Sequence, residues 1–571
     1  MRIDFDVPIA MDDGVVLRAD VFRPDADAPV PAILSYGPYA KGLAFQDGYP
    51  SAWERMASAH PDVTAGSSNR YQNWEVVDPE KWVPDGYACV RVDSRGAGAS
   101  EGVVDCWSPR ETADLEACIA WAAAQPWCDG GVGLNGISYY AMNQWTVAAR
   151  NPPALKAICA WEGAADFYRD VTHHGGILCT FVANWYDMQV KSVQHGLGER
   201  GPRSRVTGRP VCGEETLSDG ELARNRADMR ADVLAHALDD EYHRSRSPDW
   251  SRVTVPLLSA ANWGGQGLHP RGNFEAFTRA RSAQKWLEVH GIEHWTEFYT
   301  DYGVALQKKF FAFFLKGVDG GWSAQPPVQL QIRHLDRFVP RAENEWPLAR
   351  TRWTPAYLDL RERTLAGEPP DGEATLAFEA LGDGVTFLAP PLERETEITG
   401  PLAATLFVSS TTADADLFLV LRAFAPGGDE VVFQGAIDPH TPLAQGWLRA
   451  SHRALDPALS LPYRPYHTHA RREPLAPGEV YRLDVELWPT CVVLPAGYRL
   501  ALTVRGKDYE YSGPSGGRLS NFKNELRGCG PFLHDDPHDR PAGIFGGVTT
   551  LHAGAGRAPF LLLPIVPPAP R

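Results

Sequence analysis

An α/β domain carrying a helical insertion, followed by an all-β domain, is the architecture the sequence predicts. Three observations point to it. Over residues 1–317, six short and nearly continuous apolar runs alternate with helical stretches, the pattern of strands buried on both faces of a mainly parallel sheet. Residues 163–250 break that alternation with a polar, helix-like stretch far longer than one crossover needs. Residues 318–571 read as β runs separated by turns, the texture of an antiparallel sandwich or jelly roll. The expected units are therefore 1–162 with 251–317, the insertion 163–250, and 318–571.

The elements follow in chain order. Asp6–Ala10 and Val15–Phe22 flank the tight-turn signal Asp12-Asp13-Gly14 and predict a hairpin. The six apolar runs are Ala32–Ser35, Ala88–Val92, Val132–Leu134, Lys156–Ala160, Pro256–Ala261 and Lys285–Val289. Ser108 is placed to cap a helix, with Pro109 at its first position and Glu111 completing a capping box. Leu115, Cys118, Ile119 and Ala122 then share a face, and Gln125-Pro126 ends the helix. Val304–Lys316 predicts another, with Leu306, Phe310, Phe313 and Phe314 on its core face and Gly317 as its stop. In the insertion, Ser218–Leu238 scatters Leu222, Met229, Val233 and Leu234 among charged residues. Later strands are expected at Val328–Arg333, Leu402–Ser409, Leu417–Ala423, Glu430–Ile437, Val480–Leu487, Leu500–Val504 and Phe560–Val566.

Composition narrows the function. The formal charge of −16 over 571 residues argues against a nucleic-acid partner, which would need a basic face. No apolar run reaches the roughly 18 residues of a membrane span. The first residues carry acids and no apolar signal core, so a cytoplasmic protein is expected. The nine cysteines are scattered without a C-x-x-C pair, which speaks against a disulfide framework or a Cys-based zinc site. Eighteen tryptophans suggest aromatic-lined clefts.

The strongest chemical signal is Gly131-Val132-Gly133-Leu134-Asn135-Gly136-Ile137-Ser138-Tyr139-Tyr140-Ala141. A β run ends at Gly-x-Ser and enters a helix, which is the arrangement of a nucleophile elbow. The turn must be sharp so that the hydroxyl stands clear of the sheet, and its neighbours must be small. Gly136 meets that need before the serine. After it the small residue is Ala141, one step later than usual.

Around this elbow stand Pro38-Tyr39-Ala40-Lys41, Asp93-Ser94-Arg95-Gly96 with Ser100-Glu101-Gly102, Gln125-Pro126-Trp127-Cys128-Asp129-Gly130, and Phe313-Phe314-Leu315-Lys316-Gly317. With these segments the whole chain resembles the cocaine-esterase and X-prolyl dipeptidyl aminopeptidase family of serine hydrolases. The resemblance implies an α/β-hydrolase domain with an inserted helical cap and a C-terminal jelly roll. It also implies a nucleophile at Ser138 and oxyanion donors at the Tyr139 backbone N–H and, carried over from the Pro-Tyr motif, the Tyr39 hydroxyl. The family's histidine falls on His294. His290 lies nearer the strand interior and reads as structural, and His269, after another strand end, is a weaker rival.

The acid departs from the family. An Asp is expected after Trp263, but Ala261-Asn262-Trp263-Gly264-Gly265-Gln266 puts glycine there. Glu162, at the end of the preceding strand in the predicted sheet, is the leading replacement, with Asp166 and then Glu293 behind it. Trp145, Trp263 and Trp295 are the candidates for the substrate pocket. No cofactor or metal is implied, since the pairs His173-His174 and His467-x-His469 lack a third convincing ligand. The expected partner is a small ester or a short peptide, with a homo-oligomer compatible with the sequence. The expected activity is a carboxylesterase ahead of a dipeptidyl peptidase or α-amino-acid ester hydrolase. The reading from another class is a binding protein that kept the fold after losing its acid.

Overall fold

The computed structural model describes residues 1–568. Its first sheet is built from β1 (Arg2–Ala10), β2 (Val16–Arg23), β3 (Val30–Gly37), β4 (Ala88–Asp93), β5 (Cys128–Ile137), β6 (Leu155–Trp161), β7 (Leu257–Asn262), β8 (Lys285–His290), β9 (Val328–Arg333) and β10 (Phe338–Glu343). Among the described residues they run in the order β1-β2-β4-β3-β5-β6-β7-β8-β9-β10. All pairings from β4 to β9 are parallel, and β1, β2 and β10 close the edges antiparallel. The six apolar runs become β3 to β8.

Alternation places neighbouring residues on opposite faces. On one face Ala32, Leu34, Val132 and Leu134 meet Leu115, Cys118, Ile119 and Ala122 of α1 (Pro109–Ala123). On the other, Ile33, Cys89 and Cys159 pack in the core that contains Leu306, Phe310 and Phe311. Those three come from the helix Asp301–Lys316, which ends at Gly317 with φ 65°. Phe311 is buried there, whereas Phe313 and Phe314 are only partly covered.

Ser108 caps α1 by accepting the Glu111 N–H at 3.3 Å, a contact worth about 1 kcal/mol. The predicted capping box is half formed. The Glu111 carboxylate reaches past Ser108 to the Trp107 N–H (2.7 Å) and the Tyr139 hydroxyl instead.

One strand changes domain. Val328–Arg333, expected in the C-terminal region, pairs in parallel with β8 and extends the first sheet. Apart from the two-stranded hairpin of His173–His174 and Ile177–Leu178, the remaining β segments form a second, mixed but mostly antiparallel sheet of the jelly-roll type around its own apolar core. The expected strand Glu430–Ile437 shortens to Glu430–Val431, because the chain then turns away toward the first domain. The insertion is a chain of short elements. Ser218–Leu238, read as one helical stretch, splits into Asp219–Arg224 and Met229–Ala235, the second newly capped by Asp228. All nine cysteines are unpaired and buried. Among the described residues no helix is long and apolar enough to cross a membrane.

Candidate active site

Ser138 sits between β5 and α2 (Tyr139–Ala148) with φ 54° and ψ −112°, a conformation costing about 1–3 kcal/mol that the surroundings must impose. They do so through hydrogen bonds on both sides. The Ser138 N–H donates to Trp161 O, and Ser138 O accepts from Ala141 and Met142. A Cβ on Gly136 would lie 2.4 Å from that of Tyr140, so the small residue before the serine is obligatory. Ala141 is the other close neighbour, since a Cβ on Gly163 would lie 2.8 Å from its methyl.

Glu162 is the carboxylate that the structure brings to His294. It follows β6 with φ 47° and is fully buried, its N–H held by Ala260 O of β7 at 2.7 Å. Its carboxylate is 2.9 Å from Nδ1 of His294 and 2.9 Å from Nε2 of His290. His290 Nδ1 is 2.7 Å from Glu288, and His294 Nε2 is 2.8 Å from Glu75. The result is a buried row of carboxylate, imidazole, carboxylate, imidazole and carboxylate. Of the alternatives, Asp166 caps the following turn and pairs with Arg169, while Glu293 contacts Thr296; neither appears among the partners of His294.

Charge in this row follows from who faces whom. Burial raises the Glu162 pKa, but the two imidazoles outweigh it and hold the carboxyl at about 2. Burial lowers both histidines, and the carboxylates overcome it, lifting His294 to about 9 and His290 to about 10. Glu75 is pushed up to about 7 by burial, only partly offset by His294.

The serine itself meets another ring. Ser138 Oγ is 3.0 Å from Nε2 of His269, whose plane is stacked on His294 with centroids 4.6 Å apart and 7° between planes. His269 Nδ1 finds no hydrogen-bond partner among the described residues. Burial and the neighbouring His294 push its pKa well below the ordinary value. The carboxylate and the serine are thus divided between two rings: Glu162 contacts His294, and Ser138 contacts His269.

Tyr39 lies just past β3, at the end of the sheet where α/β sites form. Its oxygen accepts the Trp185 indole N–H at 3.0 Å, which leaves the phenolic proton for an acceptor in the pocket. Burial raises its pKa well above the usual value, so it stays neutral. Tyr139 points its ring away from the serine, donating its hydroxyl to Glu111 and accepting from Trp107 N–H. Only its backbone faces the elbow.

The pocket beside Ser138 is lined by Tyr39, Trp74, Glu75, Trp107, Trp185 and Met142, with Phe181 from the insertion and Ile437, Phe522 and Phe532 from the C-terminal region. The three tryptophans expected here are not in its lining, which corrects that reading. Trp145 packs on Trp250, Trp263 on Phe274 and Trp346, and Trp295 on Trp74. All three are fully buried core residues. Glu75, Trp74, Trp107 and Trp185 were missed. They come from loops and the insertion, where no periodicity singles out a residue.

The C-terminal region also holds the loops bearing Gly264 and His294. Ala436 O accepts the His294 N–H at 2.9 Å, and Ala436 N–H donates to Gly264 O at 3.0 Å. A Cβ on Gly264 would lie 2.3 Å from Gly435 Cα, so this backbone crossing needs glycine. Among the described residues, Glu162, His269 and His294 lie close enough to share a metal ion, their ligand atoms within 4.8 Å of one another. Ser138 holds Nε2 of His269, and Glu75 holds Nε2 of His294.

A family model described as X-Pro dipeptidyl-peptidase (S15 family) matches residues 13–296, and one for the X-Pro dipeptidyl-peptidase C-terminal non-catalytic domain matches 320–538. A CocE/NonD family hydrolase from Staphylococcus aureus superposes with a TM-score of 0.83 at 30% identity, over 99% of this chain and 94% of that one. The cocaine esterase of a Rhodococcus species is 25% identical over 91% of this chain and 94% of its own length. An α-amino acid ester hydrolase shares the fold, with a TM-score of 0.66 at 17% identity over 99% of this chain and 96% of that one.

Proposed function

This chain belongs to the CocE/NonD and X-Pro dipeptidyl-peptidase (S15) family of serine hydrolases, and from that premise we propose that Ser138 is its nucleophile, His294 the base and Glu162 the relocated acid, acting on esters with apolar acyl groups. The observation that carries the assignment is the Glu162 contact to His294 Nδ1 at 2.9 Å. A serine base needs its far nitrogen held by a carboxylate so that the proton it takes is stabilised. Glu162 meets that need from the end of β6, where Gly265 cannot.

With His294 in its neutral form, its Nε2 proton lost as Glu75 is displaced, Ser138 Oγ attacks the carbonyl carbon and gives its proton to His294 Nε2. The Tyr39 O–H and the Tyr139 N–H hold the resulting oxyanion. The imidazolium returns the proton to the leaving alkoxide or amine, and the acyl group stays on Ser138. Water, deprotonated by His294, then attacks the acyl carbon, and Ser138 leaves with the proton. In the resting geometry Glu75 occupies His294 Nε2 and His269 steadies the hydroxyl. Substrate entry must therefore displace Glu75 and turn the serine toward His294. The second reading, favoured by the 3.0 Å Ser138–His269 contact, makes His269 the base.

Ester preference follows from the pocket lining. Its walls are aromatic and aliphatic, and Glu75 is the single carboxylate among the lining residues. Once displaced from His294, Glu75 is the one carboxylate the lining offers a substrate's ammonium group, and the remaining walls are mostly apolar, which favours an ester over a dipeptide. The nine unpaired cysteines are in keeping with a reducing compartment such as the cytoplasm.

A fluorophosphonate probe and a substrate panel test the proposal. Labelling should occur in the native chain and vanish in Ser138→Ala. Phenyl and short-chain esters should turn over at least about 100-fold faster than Ala-Pro and Gly-Pro amides. Faster cleavage of the amides would overturn the ester assignment, and undiminished labelling of Ser138→Ala would overturn the nucleophile.

A further inference from the structure

A second cluster of chemistry-bearing side chains lies away from Ser138, where the insertion meets the C-terminal region. The pair His173–His174 turns through Gly175-Gly176 to Ile177–Leu178 and lies against the strand Ala444–Arg449. The Arg449 N–H donates to Gly175 O at 2.9 Å. A Cβ on Gly175 would lie 2.0 Å from Trp447 O, so the turn is pressed onto that strand. This seating delivers His174 to His534 of the segment 507–541. Cys179 follows directly after Leu178, at the end of the same hairpin.

The hydrogen bonds around the two rings decide their tautomers. His534 Nδ1 is 2.7 Å from Asp508 Oδ1, and the other Asp508 oxygen accepts the His534 backbone N–H at 2.6 Å. A carboxylate accepts, so His534 Nδ1 carries its hydrogen and Nε2 presents a lone pair. His174 Nε2 is 3.1 Å from the carbonyl oxygen of Asp170, which likewise only accepts. His174 therefore carries its hydrogen on Nε2 and presents the Nδ1 lone pair. Those two lone pairs face each other at 2.8 Å. They repel unless a cation stands between them. Cys179 Sγ lies within 4.8 Å of a ring nitrogen of each histidine, and all three residues are buried.

We propose that His174 Nδ1, His534 Nε2 and Cys179 Sγ bind a divalent cation of the zinc class, with water as the fourth ligand. Two imidazole nitrogens and a thiolate suit zinc, and the thiol gives up its proton on binding. The nitrogens need to part to roughly 3.3 Å to subtend a tetrahedral angle at bonds of about 2.05 Å. The Asp508 carboxylate and the Asp170 carbonyl orient the two rings from behind, as partners of metal-bound histidines do. The ion staples the insertion to the C-terminal region. It also holds the segment bearing Phe522 and Phe532, both walls of the pocket, with Phe532 two residues before a ligand. The site reaches the chemistry through pocket shape and touches no reacting atom.

The test uses the full-length chain without a histidine tag. Purified without chelator it should carry about one zinc per chain by elemental analysis. Cobalt(II) exchanged for zinc should give a thiolate-to-metal charge-transfer band and the intense visible bands of tetrahedral coordination. Cys179→Ser should lose the charge-transfer band, and His534→Gln should bind metal at least tenfold more weakly. Chelation should raise KM several-fold with a smaller change in kcat, and added zinc should reverse it. Fluorophosphonate labelling of Ser138 verifies that each variant is folded. If a variant fails to fold, the cobalt spectrum of the unaltered chain decides alone. Absence of bound metal at micromolar zinc would overturn the proposal and leave a shared proton between the rings. So would cobalt bound without a thiolate band, or at unchanged stoichiometry in both folded variants with Ser138 labelling blocked, which places the ion on Glu162, His269 and His294.

Discussion

Two buried groups of histidines, built from the same kind of side chain, behave in opposite ways. At the elbow each of His290 and His294 stands between two carboxylates, and both are lifted far above the ordinary imidazole value. Under the insertion, His173 and His174 are pushed well below it by burial and by neighbouring histidines and arginines. Burial is equal in the two places. What differs is whether an acceptor-only oxygen with negative charge faces each nitrogen. The first group stores a proton and is suited to acid–base work. The second offers lone pairs and is suited to a metal. His269 lies between the two patterns: stacked on His294 yet without a carboxylate, it stays neutral against Ser138.

Removing the negative partner should therefore collapse the first group. Glu162→Gln should cut kcat by about 1,000- to 10,000-fold with the fold intact, since the imidazolium formed in the reaction loses its counter-charge. His294→Ala should cost as much, whereas His269→Asn should cost about tenfold. The reverse ranking of the two histidines, measured by steady-state turnover of a phenyl ester, would transfer the base role to His269. Tyr39→Phe removes one oxyanion donor and should lower kcat by about 100-fold with little change in KM. Glu75→Gln removes one of the two carboxylates that raise His294. The acid limb of the kcat/KM profile, set by the neutral base, should move down from about 9 by about one pH unit. An unmoved limb would mean that Glu75 does not set the base.

The smallest effect is on stability. His290 and His294 have folded pKa values raised from 6.5 to about 10 and about 9. Their contribution is fully present below about 6.5 and is lost as pH rises through 9 and 10. The melting temperature should fall by a few degrees across that window, and less in His290→Gln. A flat profile from pH 7 to 10 would show that the row is not charged as described.

Much of the first domain was legible because its signals are local. Apolar runs marked β3 to β8, Ser108 marked the start of α1, and Gly-x-Ser marked the elbow. The contact of Glu162 with His294 was legible because parallel order puts the end of β6 beside the end of β7. The pocket tryptophans were misread for a physical reason: sequence proximity to Ser138 or His294 says nothing about direction, and Trp145, Trp263 and Trp295 point into the core. Glu75 was invisible, because a lone carboxylate in an irregular loop has no pattern. His534, which faces His174, was equally hidden, lying 360 residues away. Val328–Arg333 had the composition of either sheet, and only its pairing decides.

The backbone crossing at Gly264 and Gly435 carries a consequence for biosynthesis. A ribosome that has made residues 1–317 has already emitted Ser138, Glu162 and His294. Ala436, which grips the His294 N–H, and Ile437, Phe522 and Phe532, which wall the pocket, come later. Through most of the second half of translation Ser138, Glu162 and His294 therefore lack the contact on the His294 backbone and three walls of the pocket. A chain truncated before this region keeps Ser138, Glu162 and His294 but loses both that grip and those walls.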